Sequence, residues 1–154
     1  MSNERSEVPT SIFFMGALIT SAIGGILLLA LDFGGWDGSN YYLGVYIFGG
    51  IDAWNSIYSI PIVISGFLLL YCMGISILVL RFPDKIPDKK YVKYGLYMST
   101  LVFVLSLIGG IIFAVAMELE DVWWWFDAGF YGGIIGGFLT AILYYLGLKN
   151  LDLP

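Results

Sequence analysis

The groups in this chain that could do chemistry are few and unevenly placed. Seven carboxylates, Asp32, Asp37, Asp52, Glu118, Glu120, Asp121 and Asp127, lie in two segments that contain no Lys or Arg. Carboxylate oxygens in such numbers suit a calcium ion, or general acid–base work on a lipid. Neither segment has the regular ligand spacing of a calcium-binding loop, so solvation of a surface is the simpler reading. Histidine is absent, which removes bis-imidazole haem and the usual zinc sites. Cys72 is the only cysteine, so no internal disulfide or dithiol relay can form, and it reads as a small apolar filler. The composition therefore assigns no catalytic residue, cofactor or metal ligand, and the chain is expected not to be an enzyme.

The elements that position these groups are membrane spans. Of 154 residues, 59% are hydrophobic and 12% charged, about half the charge of a soluble domain. A helix needs about 20 apolar residues to cross the roughly 30 Å hydrocarbon core. Four segments qualify: Ile12–Leu31, Ile60–Leu80, Tyr94–Met117 and Ala128–Leu148. The expected fold is an all-α, single-domain membrane protein over 1–154, a four-transmembrane-helix bundle with loops at 32–59, 81–93 and 118–127. The first span is too long for a cleaved signal peptide and reads as an uncleaved anchor. None of the span cores contains Asp, Glu, Lys, Arg or His. That argues against a pump, an ion-coupled transporter or a voltage sensor built from this chain alone.

All seven basic residues, Arg5, Arg81, Lys85, Lys89, Lys90, Lys93 and Lys149, fall in the N-terminal segment, the middle loop or the C-terminal end. Retention of Lys and Arg on the cytoplasmic side orients membrane proteins. The expected topology is a multi-pass protein of the cell membrane with both termini cytoplasmic and the first and third loops outside.

Local signals mark the boundaries. Pro9 with Thr10 and Ser11 precedes the first span, and Ser59-Ile60-Pro61 opens the second, where a hydroxyl can cap and proline is tolerated in the first turn. The middle loop repeats Phe82-Pro83-Asp84-Lys85 as Ile86-Pro87-Asp88-Lys89, and Asp88 is a candidate cap for the third helix.

The first outer loop has strand–turn–strand composition. Tyr41 to Phe48 alternates aromatic and β-branched residues before a Gly49-Gly50 break, predicting a small extracellular β-hairpin or sheet. Its contact residues are Trp36, Tyr41, Tyr46 and Trp54. The short second outer loop carries Trp123, Trp124 and Trp125, which read as an interfacial belt. Packing signals sit in the spans. Gly132 and Gly136 form one stripe of the fourth helix and Gly133 and Gly137 an adjacent one, either for helix packing or, on one stripe, for assembly with another subunit.

The run Phe126-Asp127-Ala128-Gly129-Phe130-Tyr131-Gly132-Gly133, continuing to Gly136-Gly137, resembles the entry to the fourth helix of the claudin and peripheral-myelin-protein superfamily. Trp36 and Tyr42–Gly44 resemble that family's first-loop signature, and the four-span plan is similar. The chain departs from the family in lacking paired loop cysteines, in its short first loop and in having no basic residue after the first span. The resemblance implies a non-enzymatic tetraspan acting in lateral or cell-surface assembly, with membrane lipids and a homo-oligomer or other membrane subunits as partners, and no nucleic acid. An accessory subunit of a larger membrane transport or redox complex is the alternative. An enzyme acting on lipid through the outer carboxylates is the third.

Overall fold

In water a helix buries its large apolar residues; in lipid the rule relaxes, because lipid tails are as apolar as leucine and close contact between backbones decides the packing. The first helix follows the lipid rule. Ile12, Met15, Ile19, Ile23 and Ile26 are exposed along one face, while Ala17, Ser21, Gly24 and Gly25 are buried on the other.

The computed structural model describes residues 9–36, 60–83, 86 and 88–151. It contains α1 (Thr10–Ala30), β1 (Gly34–Trp36), α2 (Ile60–Arg81), α3 (Lys89–Leu119), β2 (Trp124–Phe126) and α4 (Ala128–Lys149). All four helices are long and apolar enough to cross a membrane. The chain is a multi-pass integral membrane protein, a four-helix bundle with a small antiparallel sheet. In the bundle α1 lies between α2 and α4, and α3 closes the ring between α4 and α2.

Helix ends follow local chemistry. Asp88 caps α3 by accepting the Lys90 N–H at 2.8 Å. The cap lets this helix begin five residues before the purely apolar run does. Its 31 residues extend about 46 Å, well past a hydrocarbon core. The other end of α3 closes with two bonds, Asp121 N–H to Glu118 O at 3.2 Å and Val122 N–H to Met117 O at 3.4 Å. This is a Schellman closure, with Asp121 in the left-handed position at φ 53° that glycine usually fills. The expected hydroxyl cap of α1 does not form. Pro9 occupies the cap position without a side-chain bond, and Thr10 Oγ1 instead donates to Asn150 O at 2.8 Å. Lys89 Nζ donates to Leu151 O at 2.7 Å. The starts of α1 and α3 are thereby tied to the end of α4.

Candidate functional site

Two regions carry the candidate functional residues: the ribbon end, where β1 and β2 lie, and the glycine seams of α4. β1 and β2 pair antiparallel, Gly34 with Phe126, Gly35 with Trp125 and Trp36 with Trp124. Thus the described sheet joins the start of the first predicted outer loop to the second. The Tyr41–Phe48 strand, and with it Tyr41, Tyr46 and Trp54, falls outside the described residues.

Alternation along β2 sorts its aromatics. Trp124 and Phe126 share one face, with ring centroids 5.1 Å apart, and both meet the buried Phe113 of α3, at 5.8 and 6.0 Å. Phe126 stacks on Phe130 at 3.9 Å, and Phe33 meets Phe130 edge-on at 5.3 Å. Trp123 and Trp125 take the opposite face, 5.2 Å apart. Both strand glycines are needed for this. A Cβ on Gly34 would lie 2.8 Å from Phe113, and one on Gly35 would lie 2.7 Å from the Trp125 ring. The tryptophan triplet is therefore divided. Trp123 is 68% exposed. Trp124 and Trp125 are half-buried parts of the sheet, and Trp124 Nε1 donates to Glu118 Oε1 at 3.0 Å.

The Asp127–Gly129 motif fastens this end to α1. Asp127 Oδ1 accepts the Ala128 N–H at 2.6 Å, the Asp127 N–H donates to Phe33 O at 3.0 Å, and the Gly129 N–H donates to Asp32 O at 2.8 Å. A Cβ on Gly129 would stand 2.7 Å from Asp32 O, so no other residue fits there. The stretch that carries the family resemblance thus has a local structural role in this chain. Among the described residues no three Asp, Glu or Cys side chains converge as a metal site would require.

Both stripes of α4 are used inside the bundle. Gly132 and Gly136 meet α1: their Cβ positions fall 2.6 Å from Leu27 Cβ and 2.8 Å from Gly24 Cα. Gly133 and Gly137 meet α3, the first against Ser106 Oγ and the second with its Cβ position 2.8 Å from Phe103 N. Each stripe thus faces a neighbouring helix of the same bundle, α1 on one side and α3 on the other. Ser106 Oγ is buried against Gly133 and has no hydrogen-bond partner among the described residues.

The sequence reading missed the polar connection within the core. The buried Tyr144 donates from Oη to Cys72 O at 2.7 Å and lies 3.0 Å from Ser76 Oγ. With its single proton on Cys72 O, Tyr144 accepts from Ser76. Cys72 Sγ donates to Gly95 O at 3.4 Å, and the Tyr144 ring rests where a Cβ on Gly95 would be. Thr20 and Thr140 hydroxyls meet at 2.8 Å between α1 and α4. The signal was present as a tyrosine and three other hydroxyl-bearing residues, Ser76, Thr20 and Thr140, inside apolar runs, where each must find a partner. These groups are paired with one another or with backbone carbonyls.

No family model, curated protein or solved structure matches the chain.

Proposed function

We propose that this protein is a non-enzymatic tetraspan of the cell membrane whose ribbon end is a contact surface for lateral or cell-surface assembly. The observation that carries this reading is the β1–β2 pairing, which joins two separate loops into one platform. Among the described residues each strand pairs only with the other, and the exposed Trp123 stands on the face away from the bundle. Unpaired strand edges and exposed aromatics are the usual materials of a protein contact. The likeness of the α4 entry to claudin-type tetraspans supports the same reading. With both termini cytoplasmic, as the Lys and Arg distribution favours, the platform faces outward.

Cross-linking in intact membranes, followed by identification of the linked chains, tests the proposal. Self-assembly through the platform predicts a homo-oligomer that Trp123→Ala weakens while thermal stability is kept. A stoichiometric foreign partner would replace it with the accessory-subunit reading. Lipid turnover lost on Glu118→Gln or Asp121→Asn would overturn the non-enzymatic assignment. Digestion of a C-terminal tag from outside intact cells would overturn the orientation.

A further inference from the structure

The seams of this bundle are not equally closed. Glycine meets backbone between α1 and α4 and between α1 and α2, whereas tyrosines stand along the seam of α2 with α3. There a hollow of about 660 Å³ is lined by Tyr71, Gly74, Ile75, Leu78, Ile86 and Tyr91. A second, of about 370 Å³, continues past Tyr71 to Leu68, Tyr94 and Met98. Among the described residues a Cβ on Gly74 would meet nothing within 4 Å, so no side chain of α3 fills the groove at that level.

We propose that this groove holds an acyl chain of an anionic phospholipid, with the headgroup against the basic residues at the terminal end of the bundle. Length and charge both point to that occupant. From Leu68 to Leu78 the groove runs ten residues of helix, about 15 Å, which is the depth of one leaflet of a roughly 30 Å core. A transmembrane helix of a partner would need the full thickness; a single lipid chain needs half. The lining is apolar apart from the tyrosine hydroxyls. At its terminal end the groove is rimmed by cations: Arg81 lies one turn beyond Leu78, and Lys90 immediately precedes Tyr91. Among the described residues no carboxylate pairs with Arg81, and Lys90, though 3.3 Å from Asp88, keeps 74% of its side chain exposed. Clustered Lys and Arg at a membrane surface attract anionic headgroups. This inference stands apart from the assembly proposal, which concerns the opposite end of the molecule.

The test uses the full chain reconstituted into bilayers of equal phosphatidylglycerol and phosphatidylcholine, extracted in mild detergent and weighed by native mass spectrometry. The expected result is one retained lipid per chain, with phosphatidylglycerol favoured several-fold. Gly74→Phe fills the groove from a position with free space, so it should remove the lipid while leaving thermal stability unchanged. Arg81→Gln combined with Lys90→Gln should keep a lipid but lose the preference for phosphatidylglycerol. Equal retention by wild type and Gly74→Phe, or no headgroup preference in the wild type, would overturn the proposal. So would a Gly74→Phe chain that turns from oligomer to monomer, which would make the groove a contact between copies.

Discussion

The Tyr144 hydroxyl donates to the main-chain carbonyl of Cys72 at 2.7 Å, joining α4 to α2 across the diagonal of the bundle. With the Ser76 Oγ–Tyr144 Oη bond at 3.0 Å, it sets the α2–α4 distance, which contacts between neighbouring helices do not set directly. Its ring is fully buried, edge-on to Phe14 at 5.6 Å.

Removing the hydroxyl alone isolates these two bonds from the packing of the ring. Tyr144→Phe should lower stability by about 1 kcal/mol, in the range of interhelical hydrogen bonds in membrane proteins. Tyr144→Ala should cost about 3–5 kcal/mol, because it also empties the ring's volume. Thermal or denaturant unfolding in detergent reads both, and equal losses would mean that the hydroxyl, not the ring, is what matters.

The glycines of α4 predict a matched loss on both stripes. Gly136→Ala and Gly137→Ala each push a methyl group into a facing backbone, at 2.8 Å from Gly24 Cα and from Phe103 N. Each should destabilise by about 1–3 kcal/mol, as overpacking does. Gly74→Ala meets nothing within 4 Å and should be neutral or stabilising. At Gly133 the obstacle is the Ser106 side chain, so Gly133→Ala should be rescued by Ser106→Gly. A double-mutant cycle without coupling would place the strain elsewhere.

The closure of α3 predicts opposite outcomes at one residue. Asp121 sits at φ 53°, where a β-branched side chain is strained and glycine is not. Asp121→Val should lose about 1–2 kcal/mol, while Asp121→Gly should match or exceed the parent. Comparing the two unfolding midpoints checks it.

At the other end of α3, acid should loosen the first turn. The Lys90 N–H bonded to Asp88 holds this carboxyl below its usual range, aided by the nearby Lys90 and Lys93 ammonium groups. A carboxyl depressed on folding contributes stability above its unfolded pKa, and that contribution disappears as pH falls through the folded value. Amide exchange at Lys90 and Tyr91 should therefore show less protection, after correction for intrinsic rates, as pH falls below the ordinary carboxylate range. Asp88→Asn keeps the cap acceptor without the titration, so its protection should be independent of pH.

Features that depend on neighbours along the chain were legible without a structure. Four apolar runs longer than a bilayer require four helices, since only internal bonding satisfies a backbone in lipid. Asp88 as a cap follows from its place before an apolar run, and the glycine periodicity of α4 shows that it has smooth faces. Which helix meets which face is not written in the period. Gly132 opposes α1 and Gly133 opposes α3 because of how the four helices close into a ring, and two adjacent stripes look the same in sequence whether one or both are covered. The sheet shows the same limit. Gly34-Gly35-Trp36 lacks the alternation of a strand, and it becomes one only because Gly129 and Asp127 bring the start of α4 against the end of α1, which sets Trp124–Phe126 beside it. Tyr144 likewise finds Cys72 only across the assembled core. The sequence by itself determined the number of helices, several of their ends and the smoothness of their faces, because those are satisfied within a few residues. The tertiary structure decided the partners, because a partner tens of positions away is chosen by geometry that only the closed bundle possesses.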